Sequence, residues 1–286
     1  MIRLTNTRTG REIVFDGDHF FINAKDLGIA RADHNTYKGL NQVGEYLAGS
    51  SINGRDISLT GYIMASGAEE MEQQKRQLFR ILNPLDPFDL VLGERKISCV
   101  AENTPKLSTK WYENDAFLCR FVIDAYCANP CFTPIEESRA VIASWMGAFR
   151  FPLVIPADSG IQMGIRSPSL IVTVDNPGDL ETGMMIVFTA VGAVTNPYLL
   201  DLSTQKQIKL VHAMAAGETV QINTNYGQKG VVSIKDNITT DIFSALTLDS
   251  DFLQLAEGAN TYRYGADSNP ENLEIAIRFY PQYLGV

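Results

Sequence analysis

The sequence predicts a mainly β protein in two parts: an α+β N-terminal unit with one main helix, then a C-terminal antiparallel β-sandwich. Three observations carry this. Apolar and polar residues alternate with period 2 in many short segments, most cleanly at Arg55–Ile63. Helical spacing with start and stop signals occurs in one segment, just after Ser66. After Pro168, short strand patterns follow one another, separated by turn residues. With 286 residues, the chain has room for one large or two ordinary domains. At 45% apolar and 20% charged, it has the composition of a folded globular protein.

Ile2 and Leu4 alternate with Arg3 and Thr5, Asn6 to Gly10 is turn-rich, and Glu12–Phe15 follows, so the chain opens with a hairpin. Residues 16–54 hold several glycines and few periodic apolar positions, and read as loops or an exposed arm. In Arg55–Ile63 one face carries Ile57, Leu59 and Ile63, the other Asp56, Ser58, Thr60 and Tyr62. The helix has a capping-box spacing at Ser66 and Glu69. Glu72 and Arg76 can pair at i, i+4. Met71, Leu78 and Leu82 form its apolar stripe with Ile81 beside it, and Asn83-Pro84 stops it. Further strands are expected at Asp89–Leu92, Lys96–Val100 and Ala116–Tyr126.

The first unit is placed at 1–134, a connecting segment at 135–167 and the sandwich at 168–286. Trp145, Phe149 and Phe151 predict that the connecting segment docks on a neighbouring surface. Sandwich strands are expected at Ser169–Val174, Met184–Val191, Tyr198–Leu202, Gln207–Val211, Glu218–Ile222, Val231–Lys235, Asp251–Leu255, Asn260–Tyr264 and Leu273–Tyr280. Asn-Pro at 83, 129, 176, 196 and 269 falls each time where an element should stop.

The chemistry of the chain mostly excludes. Lys plus Arg is 24 against 33 Asp plus Glu, and a net charge of −9 argues against non-specific attraction to nucleic acid or an anionic membrane. The N-terminus lacks the apolar region of a secretory signal. Thr182–Leu200 is uncharged and long enough for a bilayer, but its glycines, Asn196-Pro197 and β-branched residues favour two strands and a loop. No glycine-rich phosphate loop or GxSxG elbow occurs. His19, His34 and His212 are scattered, and His212 reads as a solvent-facing strand end. No catalytic, cofactor or metal residues are assigned. The carboxylates of Asp175, Asp179, Glu181, Asp249 and Asp251 read as solvated turns. Cys99, Cys119, Cys127 and Cys131 fit neither a disulfide framework nor a zinc site, and read as buried, inert thiols of a chain made in a reducing cytoplasm. Trp111-Tyr112 is a sugar-stacking pair or a docking loop. Tyr262, Tyr264, Tyr280 and Tyr283 are half-buried packing residues or the lining of a groove.

Four motifs remain. The first is Arg55-x-Ile57-x-Leu59-x-Gly61-x-Ile63, with Lys75-Arg76-x-Leu78 and Leu82-Asn83-Pro84 behind it. The second is Cys127-x-Asn129-Pro130-x-Phe132, and the third Asn176-Pro177-Gly178-Asp179. The fourth is Phe252-Leu253-x-Leu255-x-x-Gly258-x-Asn260-x-Tyr262. In this order, over nearly the whole chain, they resemble the distal tail proteins of long-tailed bacteriophages. The resemblance implies a structural protein with no cofactor and no catalytic residues to carry over. Its N-terminal unit would form a homo-hexameric ring, with the C-terminal unit a galectin-like sandwich projecting outward. The ring would join the tail tube to tail-tip and receptor-binding proteins of a phage or prophage, with DNA leaving through its lumen. The protein would be made in the bacterial host cytoplasm and end at the virion tail tip, with no specific nucleic-acid or membrane partner. Two other readings stay open: a carbohydrate-binding module of a tail or cell-surface assembly, which leaves weak carbohydrate binding in view, and a cell-wall hydrolase.

Overall fold

A computed structural model describes residues 2–141, 145–147, 164–166 and 170–286. The chain divides into two compact units, Met1–Ile135 with Tyr283–Val286, and Glu136–Gln282. The last four residues thus belong to the first unit, not to the sandwich in which the sequence boundaries placed them. The expected docking of Trp145, Phe149 and Phe151 falls on side chains outside the described residues.

The first unit contains β1 (Ile2–Asn6), β2 (Glu12–Phe15), β3 (Phe20–Asp26), β4 (Ala32–Tyr37), β5 (Tyr46–Ile52), β6 (Arg55–Met64), α1 (Ala68–Ile81), β7 (Pro87–Leu92), β8 (Arg95–Ala101), β9 (Lys106–Leu107), β10 (Leu118–Cys127) and β11 (Thr133–Pro134). Its main sheet runs β2-β1-β7-β8-β10-β6-β3, with β9 also on β10 and β11 on β8. The end strands β2 and β3 are consecutive in sequence, separated only by Asp16–His19. Laid flat, seven strands would hold those ends about 29 Å apart, whereas this link reaches about 17 Å. The sheet must therefore curl. The rings agree: Phe15 on β2 lies 6.1 Å from Phe20 on β3 and 6.2 Å from Phe121 on β10.

Leu4, Ile13, Leu59, Ile63, Phe88, Leu90 and Phe121 fill the interior. The helix adds Met71, Leu78 and Ile81, with Leu82 just beyond it, as the stripe predicts. Its start differs by one residue. Gly67 is the N-cap, and the Ser66 N–H donates to Glu70 Oε2 at 2.7 Å, so Glu70 rather than Glu69 occupies the third helical position and reaches back. Glu72 pairs with Lys75 instead of Arg76.

The second unit contains β12 (Ser138–Val141), β13 (Trp145–Gly147), β14 (Gly164–Arg166), β15 (Ile171–Asn176), β16 (Met184–Ala190), β17 (Val194–Asp201), β18 (Gln207–Lys209), β19 (Ala213–Met214), β20 (Thr219–Asn223), β21 (Gly230–Lys235), β22 (Ile238–Asp241), β23 (Gly258–Ser268) and β24 (Leu273–Phe279). One sheet is β12-β24-β16-β20-β21-β22; the other is β15-β23-β17-β18, with β19 on β17. β13 and β14 pair with each other. Both larger sheets contribute to one core, including Ile186, Phe188, Ile222 and Ile277 from the first and Val174, Leu199, Ile208 and Tyr264 from the second. The fold is the antiparallel sandwich the turn spacing predicts.

Three local expectations are corrected. β12 begins inside the segment expected to be a connector, because Ser138–Val141 pairs with β24. Asp251–Leu255 is not a strand: only Leu255 makes an isolated bridge, to Thr182. Leu253 and Leu255 are both buried, so the alternation there records side-chain burial without ladder pairing. Asn196-Pro197 does not end an element. Asn196 takes a left-handed φ of 53° and interrupts the pairing for one residue, but Thr195↔Ser268 and Pro197↔Ala266 keep the same register, so β17 continues through it.

Candidate assembly surface

The structure places the family-motif residues in three groups. The first is around β6, which pairs with β10 along ten residues, from Met64↔Leu118 to Arg55↔Cys127. Ile57 and Leu59 are buried on its inner face, and Gly61 makes room for Phe121, whose ring would meet any β-carbon there. Arg55, on the same inner face, is only 3% exposed. Its guanidinium carbon sits 4.9 Å from the centre of the Phe132 ring, and Nη2 donates to the Leu284 carbonyl at 2.7 Å. Phe132 and Tyr283 exchange two backbone hydrogen bonds, each 2.8 Å. The Arg95 guanidinium covers the Tyr283 ring at 3.8 Å. The first and second motifs, which include Asn129 and Pro130, thus meet in a clamp that holds the chain's last four residues. Asn129 Oδ1 caps the turn by accepting from the Cys131 N–H, and Pro130 is buried.

The second group ends the helix. Asn6 Nδ2 donates to the Ile81 carbonyl at 3.0 Å. Past Pro84, Asn83 donates from Nδ2 to Asp86 Oδ2 and accepts from the Leu85 N–H. Asp86 is itself paired with Arg8 at 2.8 Å. Leu78 is buried, and Arg76 stays on the exposed face.

The third group joins the two motifs of the sandwich. Asn176 opposes Gly258 in the β15–β23 ladder and donates to the carbonyls of Leu180 and Leu255 at 3.0 and 3.2 Å. Its Oδ1 accepts from the Gly178 N–H, past Pro177. Gly258 has φ 78°, and Asn260 closes that turn by donating to the Ala256 and Gly258 carbonyls. Tyr262 is fully buried, and its hydroxyl donates to the Gln254 carbonyl.

Tyr262 and Tyr264 are core residues, so they line no groove. His212 does not simply face solvent: its Nε2 lies 2.6 Å from Glu218 Oε1, which Ser233 Oγ also contacts at 2.6 Å. The turn before β20 brings this carboxylate under the histidine. Burial pulls the Glu218 carboxyl upward, but hydrogen bonds from Ser233, His212 and the Ala215 N–H outweigh it and hold the group below the usual glutamate range. No group of histidine, cysteine and carboxylate side chains among the described residues could hold a metal. Among the described residues, no helix is long and apolar enough to cross a membrane.

What the motifs miss is the arm. The segment read as loops or an arm resolves into β3, which joins the main sheet, and the separate hairpin β4–β5. Nearly every residue of that hairpin is exposed. The Tyr37 and Tyr46 rings meet across it at 4.9 Å, tilted by 41°, and at its tip Leu40 and Val43 are completely exposed. A lone two-stranded hairpin is marginal in water, and its edges and apolar tip are templates for association. Weak alternation and glycines at 44 and 49 hid the strands in the sequence.

The chain matches the profile of the siphovirus-type tail component, C-terminal domain, over residues 177–283, and that of the phage tail protein RIFT-related domain over residues 8–122. No curated protein matches it. Among solved structures it is similar to phage SPP1 Dit, a paradigm of the hub adsorption apparatus in phages infecting Gram-positive bacteria. The TM-score is 0.68 at 15% identity, over 99% of each chain. It is also similar to a chain of the phage p2 baseplate in its activated conformation with Sr, with TM-score 0.55 at 10% identity over 100% of this chain and 99% of that one. The same baseplate with Ca gives 0.53, also at 10% identity and with the same coverage. At these identities the solved structures speak for the fold, and the two profiles, one in each unit, speak for the family: the chain belongs to the siphovirus-type tail-component family of phage distal tail proteins.

Proposed function

We propose that this phage tail component is a non-enzymatic hub subunit, whose first unit closes a homo-hexameric ring between the tail tube and the tail-tip and receptor-binding proteins. It is made in the host cytoplasm and works at the virion tail tip, with DNA passing through the ring. The observation that carries the ring is the β4–β5 arm. Two strands with open edges and an unburied Leu40–Val43 tip gain stability only against another surface. A head-to-tail contact of this kind closes into a ring when the rotation between neighbours is fixed. The family-motif residues serve the hub by holding the two scaffolds in shape. At −9 per subunit the ring repels itself, and moderate salt, which screens charge over about 8–10 Å, favours assembly.

The test is mass photometry and negative-stain imaging of the full chain at high concentration, with and without tube and tail-tip proteins. A Leu40→Asp/Val43→Asp variant runs beside it. Wild type should form rings and the variant should stay monomeric with an unchanged circular dichroism spectrum. Rings that persist in the variant refute the arm's role. A wild-type chain that remains monomeric with both partners present refutes the hub.

A further inference from the structure

Two of the four thiols meet inside the first unit. Cys99 on β8 and Cys127 on β10 are 2% and 0% exposed, and their Sγ atoms lie 2.6 Å apart. The register puts them there. β8 and β10 pair at Ala101↔Ala125 and Val100↔Tyr126, and Cys99 and Cys127 are the next opposed residues along the same ladder. Directly opposed residues of an antiparallel pair have Cα atoms about 4.5–5.5 Å apart, within the roughly 4.4–6.8 Å that a disulfide spans. Cys119, farther along β10, opposes Ile63 instead.

We propose that Cys99 and Cys127 are a cross-strand redox pair. They are thiols while the chain folds in a reducing compartment, and they close into a disulfide by exchange with a small-molecule disulfide met outside it. One protein thiolate attacks the small disulfide and releases one small thiol. The second attacks the mixed disulfide and releases the other. Two protein thiols are oxidised, one disulfide is reduced to two thiols, and the two protein protons end on those thiols. The bond would tie β8 to β10, which otherwise share only a short ladder. It would close a loop of 28 residues. The expected gain is a rise of roughly 10 °C in the Tm of the first unit.

Burial sets the rate. Contact with Cys127 and removal from water both push the Cys99 thiol well above the ordinary range, so little thiolate exists in the closed fold. Exchange must run through local opening, and the same burial then shields the disulfide from reductant.

The experiment treats the purified full chain with oxidised glutathione at pH 8, with and without urea below the unfolding transition. Remaining thiols are alkylated, peptides are mapped without reduction, and Tm is measured. The expected result is one cross-link, Cys99 to Cys127, with two thiols still alkylatable. It should form about tenfold faster in sub-denaturing urea and raise Tm. Cys99→Ala and Cys127→Ala should each abolish both effects. Absence of the link, a link through Cys119 or Cys131 in its place, or an oxidised chain no more stable than the reduced one overturns the proposal.

Discussion

Gly61→Ala is a one-carbon change whose cost can be worked from its surroundings. Gly61 lies in β6 between β3 and β10. A β-carbon there would stand 2.6 Å from Cζ of Phe121 and closer still to the Phe21 carbonyl oxygen. Ordinary contact begins near 3.4 Å, so the ring must retreat by most of an ångström. It has little room, because Phe121 is 0% exposed and packs on Phe15. Overpacking of this kind costs about 1–3 kcal/mol. The Phe21 oxygen is backbone of β3, next to the register shift between Ile22 and Ala24, and moving it strains the β3–β6 ladder. A lost ladder hydrogen bond adds about 0.5–1.5 kcal/mol. Together the first unit should lose about 2–4 kcal/mol, a roughly 30- to 1000-fold shift in its opening equilibrium. Native-state hydrogen exchange of peptides covering residues 55–64 and 118–127 measures this locally. Adding Phe121→Leu removes the outer ring atoms and should lessen the ring penalty, but not the backbone one. A Gly61→Ala chain within about 0.5 kcal/mol of wild type would show that the sheet yields freely there, and the packing argument would be wrong.

Leu78→Ala opens a cavity under α1, where Leu78 is 0% exposed, and should cost the first unit about 2–5 kcal/mol by urea unfolding. Asn176→Ala removes the side-chain bonds to the Leu180 and Leu255 carbonyls and to the Gly178 N–H, with Leu255 keeping the Thr182 N–H, and should cost the sandwich about 1–3 kcal/mol, read as a lowered Tm of the second unit. Glu218 titrates below its unfolded value, so its contribution is complete above the ordinary glutamate pKa and is lost as pH falls through the depressed folded value. Glu218→Gln should therefore destabilise the second unit at pH 7 by about 1.5–3 kcal/mol and flatten its stability profile below about pH 4.5, measured by denaturant titration at each pH. An unaltered acid slope would mean that the carboxylate is not the group responsible.

The sequence by itself determined what depends on neighbours along the chain. The alternation of Ile57, Leu59 and Ile63 marked β6, because strand faces follow from period 2 alone. Asn83-Pro84 ended α1 where it reads as a stop, because proline restricts the residue before it. Thr182–Leu200 split into β16 and β17 rather than a membrane helix, as its glycines and β-branched residues indicated. The ends of those patterns were less legible: the cap partner moved from Glu69 to Glu70, and burial without pairing imitated a strand at residues 251–255.

Tertiary structure decided what depends on distant partners. Arg55 carries a charge at the first position of β6, and it is buried because Phe132 and the carbonyl of Leu284, 229 residues away, receive it. The meeting of Cys99 with Cys127 needed the β8–β10 register, which no local pattern encodes. Tyr262 and Tyr264 could have faced either side of their sheet, and they turn into the core shared with the opposing sheet. The arm shows the limit most clearly. Nothing in its own residues builds a core, so its strands left only a weak pattern, and its apolar tip, Leu40 and Val43, stays exposed.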